Sequence, residues 1–139
     1  MTSSPPDLLV DSSVAIALGV GDHEFHDRVI SALHGLILGL AGHSAFEAYS
    51  VLTRLPAPHR RTPAVVGALL DRNFPASRHL GTAAARQLLG DLPRLGISGG
   101  KVFDALVGAC AVEHDVQLAT LDERASDTYR AVGVRVLPV

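Results

Sequence analysis

Short apolar runs alternate with longer helix-like segments along this chain, and this alternation most constrains its fold. The apolar runs, which we expect to be strands, occupy residues 8–10, 36–41, 116–120 and 134–137. The segments with helical periodicity occupy residues 13–19, 23–34, 44–54, 63–71, 82–90, 101–114 and 123–131. Strands separated by helices require crossover connections and so form a parallel sheet. The sequence therefore predicts an α/β fold with a short parallel β-sheet flanked by α-helices.

Length and composition favour one globular domain. The chain has 139 residues, of which 47% are hydrophobic and 19% charged, which is enough apolar surface for a single core. We expect residues 1–6 to form a flexible N-terminal tail and residues 7–139 to form the domain, with a loop at 55–63 between two helices. No long apolar run or secretory leader is evident, so we expect a cytoplasmic location and no membrane association.

Four acidic residues lie where strands end or helices begin. Asp11 directly follows the first apolar run, and Asp122 comes two residues after the third. Glu47 and Asp104 fall in the first turns of the helices expected at 44–54 and 101–114. Right-handed crossovers bring the carboxyl ends of parallel strands to one edge, where open α/β sheets place their sites. The sequence thus predicts four carboxylates in one pocket.

Such a cluster needs positive charge. Two carboxylates about 4 Å apart repel by about 4 kcal/mol at an effective dielectric constant of 20. Helix N-termini offset only about 0.3 to 1 kcal/mol each. Because the ligands are all oxygen atoms, the hard divalent ions Mg²⁺ and Mn²⁺ suit the predicted site best.

Each acid also has a structural alternative. Asp122 would serve equally well as the N-cap of the following helix, and Glu47 as part of an exposed polar helix face. Asp104 lies in a segment that is apolar nearly all round, which disfavours a solvated position, and Asp11 is similarly placed. The structural alternatives compete well for single residues and poorly for the four together.

Other candidate motifs are weaker. Ser13 and Thr120 are expected to orient ligands or water beside the carboxylates, because no nucleophile elbow surrounds either Ser12 or Ser13. The stretch DHEFHD at 22–27 has the wrong histidine spacing for a zinc site and favours a solvated helix start. No phosphate-binding glycine loop of the P-loop type occurs. Cys110, the single cysteine, is expected to be a buried small hydrophobic residue.

Charge alone does not indicate a nucleic-acid-binding protein. The formal net charge is −2, which argues against binding through bulk positive charge. Lys101 is the single lysine among twelve basic residues, so eleven are arginines, which bind phosphate through a fork of donors. A compositional bias toward arginine explains this equally well.

Four motifs in order resemble one family. They are LLVDSSVAIAL near the N-terminus, HSAFEAYSVL, GGKVFDALVGACA and LATLDERA near the C-terminus. Together they resemble the PIN-domain ribonucleases, in particular the VapC-type toxins of bacterial toxin-antitoxin pairs, over nearly the whole chain. The resemblance implies a parallel sheet flanked by helices, Mg²⁺- or Mn²⁺-dependent endonucleolytic cleavage of RNA, a homodimer and a cognate antitoxin.

The resemblance also assigns roles by motif. Asp11, Glu47, Asp104 and Asp122 become the catalytic, metal-binding quartet, with Ser13 and Thr120 as polar support. Leu121 departs from the family pattern, in which this position is often polar, so an RNA contact from it is doubtful. The arginines that are candidates for guiding RNA are Arg54, Arg60, Arg61, Arg86 and Arg124.

The function expected from the sequence is a toxin that cleaves RNA phosphodiester bonds with a metal-activated water molecule. Two alternatives stay open: a PIN-like module that binds RNA or protein without cleaving, and another metal-dependent phosphodiesterase. A metal titration and a comparison of RNA with DNA substrates would separate them. A short neighbouring reading frame for a small DNA-binding protein would favour the toxin.

Overall fold

The sheet has four parallel strands in the order β2-β1-β3-β4 in the computed structural model, which describes residues 5–139. The strands are β1 (Leu8–Val10), β2 (Leu38–Leu40), β3 (Leu118–Thr120) and β4 (Val136–Pro138). Strand β1 is central, with Leu9 paired to Gly39 on one side and to Leu118 on the other. The predicted parallel α/β architecture is confirmed.

Seven helices surround the sheet within the described residues. They are α1 (Ser12–Gly19), α2 (His26–Leu33), α3 (His43–Thr53), α4 (Pro63–Asn73), α5 (Thr82–Leu95), α6 (Lys101–Glu113) and α7 (Glu123–Ala131). The predicted loop at 55–63 joins α3 to α4. None of these helices combines the length and the apolar character needed to cross a bilayer.

Two helix boundaries differ from the sequence prediction by three residues or more. Residues 21–25 form turns, so α2 begins at His26, whose Nδ1 lies 2.8 Å from the Ala17 carbonyl oxygen. Helix α5 runs past Gly90 and through Pro93, because Leu92 is buried in a cluster with Ala105 of α6. The flexible tail predicted for residues 1–6 lies largely outside the described residues, which begin with Pro5 and Pro6 in irregular backbone.

The two faces of the sheet bury separate apolar clusters. Leu8 and Val10 pack with Val14 of α1 and Leu33 of α2, whereas Leu9 packs with residues of α6 and α7. This alternation follows from the two-residue period of a strand. All three residues of β1 are therefore apolar, and the sheet is covered on both sides as parallel sheets generally are.

The segment after α4 lies against β2 like a short fifth strand. The Ala76 N–H donates to the Leu38 carbonyl oxygen at 3.1 Å, and the Arg78 N–H donates to the Leu40 carbonyl oxygen at 3.1 Å. Gly39 lies between them, and a Cβ atom at this position would come within 2.1 Å of the Ala76 carbonyl oxygen. A glycine is therefore required at position 39 for the close approach of this backbone.

Asp11 ties the carboxyl end of β1 to the helices that surround it. Its Oδ1 accepts from the Ser13 hydroxyl at 2.5 Å and from the Val14 N–H at 3.3 Å, which caps α1. Its Oδ2 accepts from the Thr120 hydroxyl at 2.5 Å and from the Tyr129 hydroxyl at 2.8 Å. The side chain of this carboxylate is buried, with only 3% of the residue exposed, and these four donors offset the cost of burying its charge.

We predict that Gly39→Ala destabilises the fold by about 1 to 3 kcal/mol or more, because the added methyl group meets backbone that cannot rotate away. Gly67→Ala is the matched control, since nothing lies within 4 Å of a Cβ atom there and the residue is inside helix α4. It should gain about 0.5 to 1 kcal/mol from higher helix propensity. Urea unfolding curves measure both, and equal stability of the two variants would refute the close approach.

We also predict that Tyr129→Phe lowers the free energy of unfolding by about 1.5 to 3 kcal/mol, because a buried charged acceptor loses a donor. Tyr49→Phe is the control, since the Tyr49 ring is partly exposed and, within residues 5–139, its hydroxyl makes no hydrogen bond. That variant should stay within about 0.5 kcal/mol of the wild type. Indistinguishable denaturation midpoints for the two variants would mean that the Tyr129 bond contributes nothing.

Candidate active site

The carboxyl edge of the sheet carries the four predicted acids. Asp11 follows β1 and caps α1, Asp122 follows β3 and caps α7, and Asp104 lies in the first turn of α6. Glu47 is the fifth residue of α3 rather than the fourth, because that helix begins at His43, one residue earlier than predicted. The crossovers of the parallel sheet thus bring all four acids to one side of the domain, whereas their shared role as metal ligands stays a prediction.

Asp104 is the acid without a partner. No hydrogen bond or ion pair reaches its carboxylate from any other described residue. Burial raises the pKa of Asp104 above its ordinary value, and the negative charges of Asp122, Glu47 and Asp11 raise it further, in that order. The four carboxylates are therefore close enough to act on one another electrostatically, and the net effect at Asp104 is uncompensated negative charge.

The carboxylates of Glu47 and Asp122 are partly engaged by other groups. The Ser12 hydroxyl donates to Glu47 Oε2 at 2.9 Å, and His43 Nε2 lies 3.3 Å from Glu47 Oε1. Asp122 Oδ1 accepts the backbone N–H groups of residues 124 and 125 at 2.9 and 3.2 Å. Asp122 is thus the helix N-cap that the sequence offered as an alternative. Capping uses only one of its carboxylate oxygens, so it does not remove this residue from the site.

Ser13 and Thr120 link the acids to the backbone around them. Besides donating to Asp11, the Ser13 hydroxyl accepts the Leu121 N–H at 3.0 Å, and the Thr120 hydroxyl accepts the Asp122 N–H at 2.9 Å. The Leu121 side chain packs against the apolar cluster on one face of the sheet. The hydroxyls of Ser13 and Thr120 therefore both point to Asp11, and within residues 5–139 no histidine or lysine contacts the hydroxyl of Ser12 or Ser13.

Tyr129 is the member of this network that the sequence analysis missed. Burial foremost, and then the adjacent Asp11 charge, raise the pKa of the Tyr129 hydroxyl. The phenol therefore stays protonated and donates a hydrogen bond to Asp11. Its position on α7, four residues after the buried Ala125, resembles that of any core aromatic residue. The sequence therefore offers no signal that separates Tyr129 from an ordinary core aromatic residue.

Several other predicted features have clear positions. Cys110 is buried, and burial raises the pKa of its thiol to about 12, as expected for a structural residue. The stretch at 22–27 forms turns and then the solvent-accessible start of α2, which begins three residues later than predicted. Of the candidate arginines, Arg54 lines a cleft with Glu47, whereas Arg60 and Arg61 bond carbonyl oxygens of their own loop.

The acids fit a divalent cation by chemistry, although they are not assembled as a cluster. All donors are oxygen atoms, and the unpaired Asp104 carries the uncompensated charge that a hard cation would relieve. Within residues 5–139, however, no three carboxylate, imidazole or thiol groups approach closely enough to form a ready-made site. The four bonds to Asp11 also occupy its lone pairs, so direct coordination by this residue requires a hydroxyl donor to rotate away.

Comparison with known proteins agrees with this geometry. The sequence profile described as PIN domain matches residues 8–131. Ribonuclease VapC27 of Mycobacterium tuberculosis is 43% identical over 132 residues, which cover 95% of this chain and 96% of the relative. Ribonuclease VapC40 of the same species is 40% identical over 128 residues, which cover 91% and 94%.

A solved structure shares the fold. The crystal structure of Mycobacterium tuberculosis VapC20, described as a sarcin-ricin loop cleaving toxin, superimposes with a TM-score of 0.65. The match covers 86% of this chain and 93% of that one at 20% identity, which supports the fold alone. The family profile and the two relatives with high coverage extend the agreement to sequence. This chain therefore belongs to the PIN-domain family and, within it, to the VapC ribonucleases.

Proposed function

We propose that this protein is a metal-dependent endoribonuclease, the toxin of a toxin-antitoxin pair. The observation that carries the proposal is the unpaired Asp104 carboxylate, whose pKa is raised by burial and by three neighbouring acids at the sheet edge. The names of VapC27 and VapC40 as ribonucleases support RNA as the substrate class. PIN-domain ribonucleases generally use a divalent metal ion, which agrees with an all-oxygen donor set.

Asp11, Glu47, Asp104 and Asp122 would hold the ion, which we propose is Mg²⁺ or Mn²⁺. When bound, it would stabilise charge on the scissile phosphate and lower the pKa of a water molecule that attacks the phosphorus. Asp104 would be the principal ligand, since neither of its oxygens is engaged. Ser12 orients Glu47 through the 2.9 Å hydrogen bond, and the start of α7 fixes Asp122 with one oxygen free.

Asp11 would contribute a negative charge at a fixed position. Ser13, Thr120 and Tyr129 hold its carboxylate at the end of β1, so its charge stays at the sheet edge whether or not RNA is bound. A hydroxyl that rotates away on ion binding would keep its second bond, as Ser13 does to the Leu121 N–H. The protein supplies charge and position rather than a covalent nucleophile.

The partners we propose are an RNA substrate, a cognate antitoxin and a second copy of the chain, in the cytoplasm. A homodimer would be detected by light scattering of the purified protein. The antitoxin would be detected by co-purification with the product of a short adjacent reading frame. Recovery of a monomer and of no such product would refute these two assignments without affecting the nuclease.

We predict that Asp104→Asn lowers Mg²⁺-dependent RNA cleavage by about a hundredfold or more, because the change removes a ligand charge and keeps the shape. Asp71→Asn, at an exposed position on α4, makes the same charge change away from the site and should cleave normally. Cleavage is measured on single-stranded RNA, structured RNA, DNA and a chromogenic phosphodiester. Full activity of Asp104→Asn, or equal cleavage of DNA, would overturn the proposed site or substrate respectively.

We further predict opposite effects of Asp104→Asn on stability with and without metal. In chelator the variant should melt at or above the wild type, because it relieves repulsion among the acids. Binding to the folded state alone adds about 1.4 kcal/mol for about 10 mM Mg²⁺ and a Kd on the order of 1 mM. This increment corresponds to a rise in melting temperature of roughly 3 to 6 °C for the wild type. The rise for the variant should be much smaller.

The pH dependence follows from the direction of the Asp104 shift. A carboxyl whose pKa is raised in the folded state binds its proton more tightly there, so its contribution to stability falls as the pH rises above the ordinary value of 3.8. The advantage of Asp104→Asn in chelator should therefore shrink as the pH is lowered toward that value. If the variant melts well below the wild type in chelator and Mg²⁺ raises both melting temperatures equally, Asp104 has a structural role and does not bind the metal.

A further inference from the structure

Exposed phenylalanine side chains adjoin the acidic edge. The chain contains four phenylalanines, two tyrosines and no tryptophan. Phe46 is 67% exposed and Phe103 is 49% exposed. Phe46 immediately precedes Glu47, and Phe103 immediately precedes Asp104. Two of the four phenylalanines are thus exposed beside two of the proposed catalytic acids. Burying such a side chain would stabilise the fold by about 1.5 to 3 kcal/mol.

Two ring pairs beside the acids together make up what we define as the aromatic rim: Phe103 with His43, and Phe46 with His79. The Phe103 ring stacks on His43 with centroids 5.1 Å apart and planes 20° apart. The Phe46 ring lies 6.4 Å from the ring of His79 at 54°. Since His43 also contacts Glu47 at 3.3 Å, the rim is continuous with the acids.

A cleft of about 380 Å³ connects the rim to a basic side chain. Its lining comprises Ser12, His43, Phe46, Glu47, Ser50, Val51 and Arg54. The lining therefore combines an aromatic ring, a guanidinium group and a carboxylate that we propose as a ligand of the metal. This combination of π surface, cation and hydroxyl groups is typical of sites for single-stranded nucleic acid.

The overall charge strengthens this interpretation. The protein has a net charge of −2, and its proposed active edge concentrates four carboxylates. Bulk attraction for the phosphate backbone is therefore weak, so affinity for RNA must come from local contacts. Stacking of bases on aromatic rings supplies affinity without requiring positive charge, and every base has a π face.

We propose that Phe46 and Phe103 form a stacking platform for the unpaired nucleobases that flank the scissile phosphate, with Arg54 binding an adjacent phosphate. This inference rests on the proposed ribonuclease function and names how its substrate is held. The platform selects RNA whose bases are unstacked at the cleavage site, since paired bases would not present their faces. Burial of the rim by a second copy of the chain or by an antitoxin is the competing outcome.

Tryptophan substitution gives a direct test of stacking. Phe46→Trp and Phe103→Trp each introduce the single tryptophan of the protein while keeping an aromatic ring. In chelator, which prevents cleavage, a short mixed-sequence single-stranded RNA should quench this fluorescence, and an abasic oligomer with the same sugar-phosphate backbone should not. Val112→Trp is the control, because Val112 is 45% exposed on the same helix as Phe103, about 14 Å further along it.

Alanine substitution tests the contribution to affinity and turnover. Phe46→Ala and Phe103→Ala should each weaken binding of the base-bearing RNA about fivefold or more, and leave binding of the abasic oligomer unchanged. Cleavage at subsaturating RNA should fall in parallel, and the tryptophan variants should retain it. Equal loss for both oligomers, or no loss for either, would overturn the platform.

The remaining outcomes separate the platform from the nuclease proposal and from a protein interface. If the wild type cleaves RNA and neither alanine variant is affected, the platform is wrong and the nuclease stands. If RNA with bases quenches the tryptophan variants but the wild type cleaves no RNA, the platform stands and the nuclease proposal is wrong. A change of mass by light scattering, or loss of antitoxin binding, with unchanged RNA affinity would assign the rim to a protein partner and overturn the platform.

Discussion

The burial of one negative charge at the end of β1 underlies the arrangement of the whole active edge. An ionised carboxylate in this position would cost several kcal/mol without partners. Asp11 has four donors, which come from α1, the end of β3 and α7. The same bonds that offset its burial fix the relative positions of three elements, so the geometry of the site and the stability of the fold share one set of contacts.

The four acids differ in how their charge is balanced, and this difference organises the site. Asp11 is satisfied by hydroxyl groups, Asp122 by the start of a helix, and Glu47 by a serine and a histidine. Asp104 alone among them receives no donor from the described residues. In the proposed metal site, a cation would therefore be stabilised most by Asp104, while the other acids would add negative charge from positions that the fold already fixes.

Much of this structure could be predicted from the sequence because its strands are buried on both faces. Runs such as Leu8–Val10 are wholly apolar, and acids that follow them must lie at one edge of a parallel sheet. Tyr129 could not be found in this way, since a tyrosine on the apolar side of an amphipathic helix predicts only core packing. The segment beside β2 was also missed, because only Gly39 marks the approach and a single glycine has many causes.

Sequence periodicity was least informative where tertiary packing decides a boundary. Helix α5 continues through Pro93 because burial of Leu92 outweighs the local preference to stop. Helix α3 begins at His43, one residue earlier than predicted, where no side chain caps it and the Ser44 hydroxyl donates to the carbonyl oxygens of Val10 and Ala41. These contacts join residues far apart in the chain and leave no local pattern.

The single thiol offers a built-in reporter of motion at this edge. Cys110 lies beneath the start of α3, where a Cβ atom at Gly42 would be 3.6 Å from its sulfur, and it contacts the Arg78 carbonyl oxygen at 3.3 Å. Because its pKa is raised to about 12, the closed protein presents almost no thiolate to an alkylating reagent. Its labelling rate would therefore follow how often α3 and the 76–78 segment separate from α6, a local opening measured without any substitution in the protein.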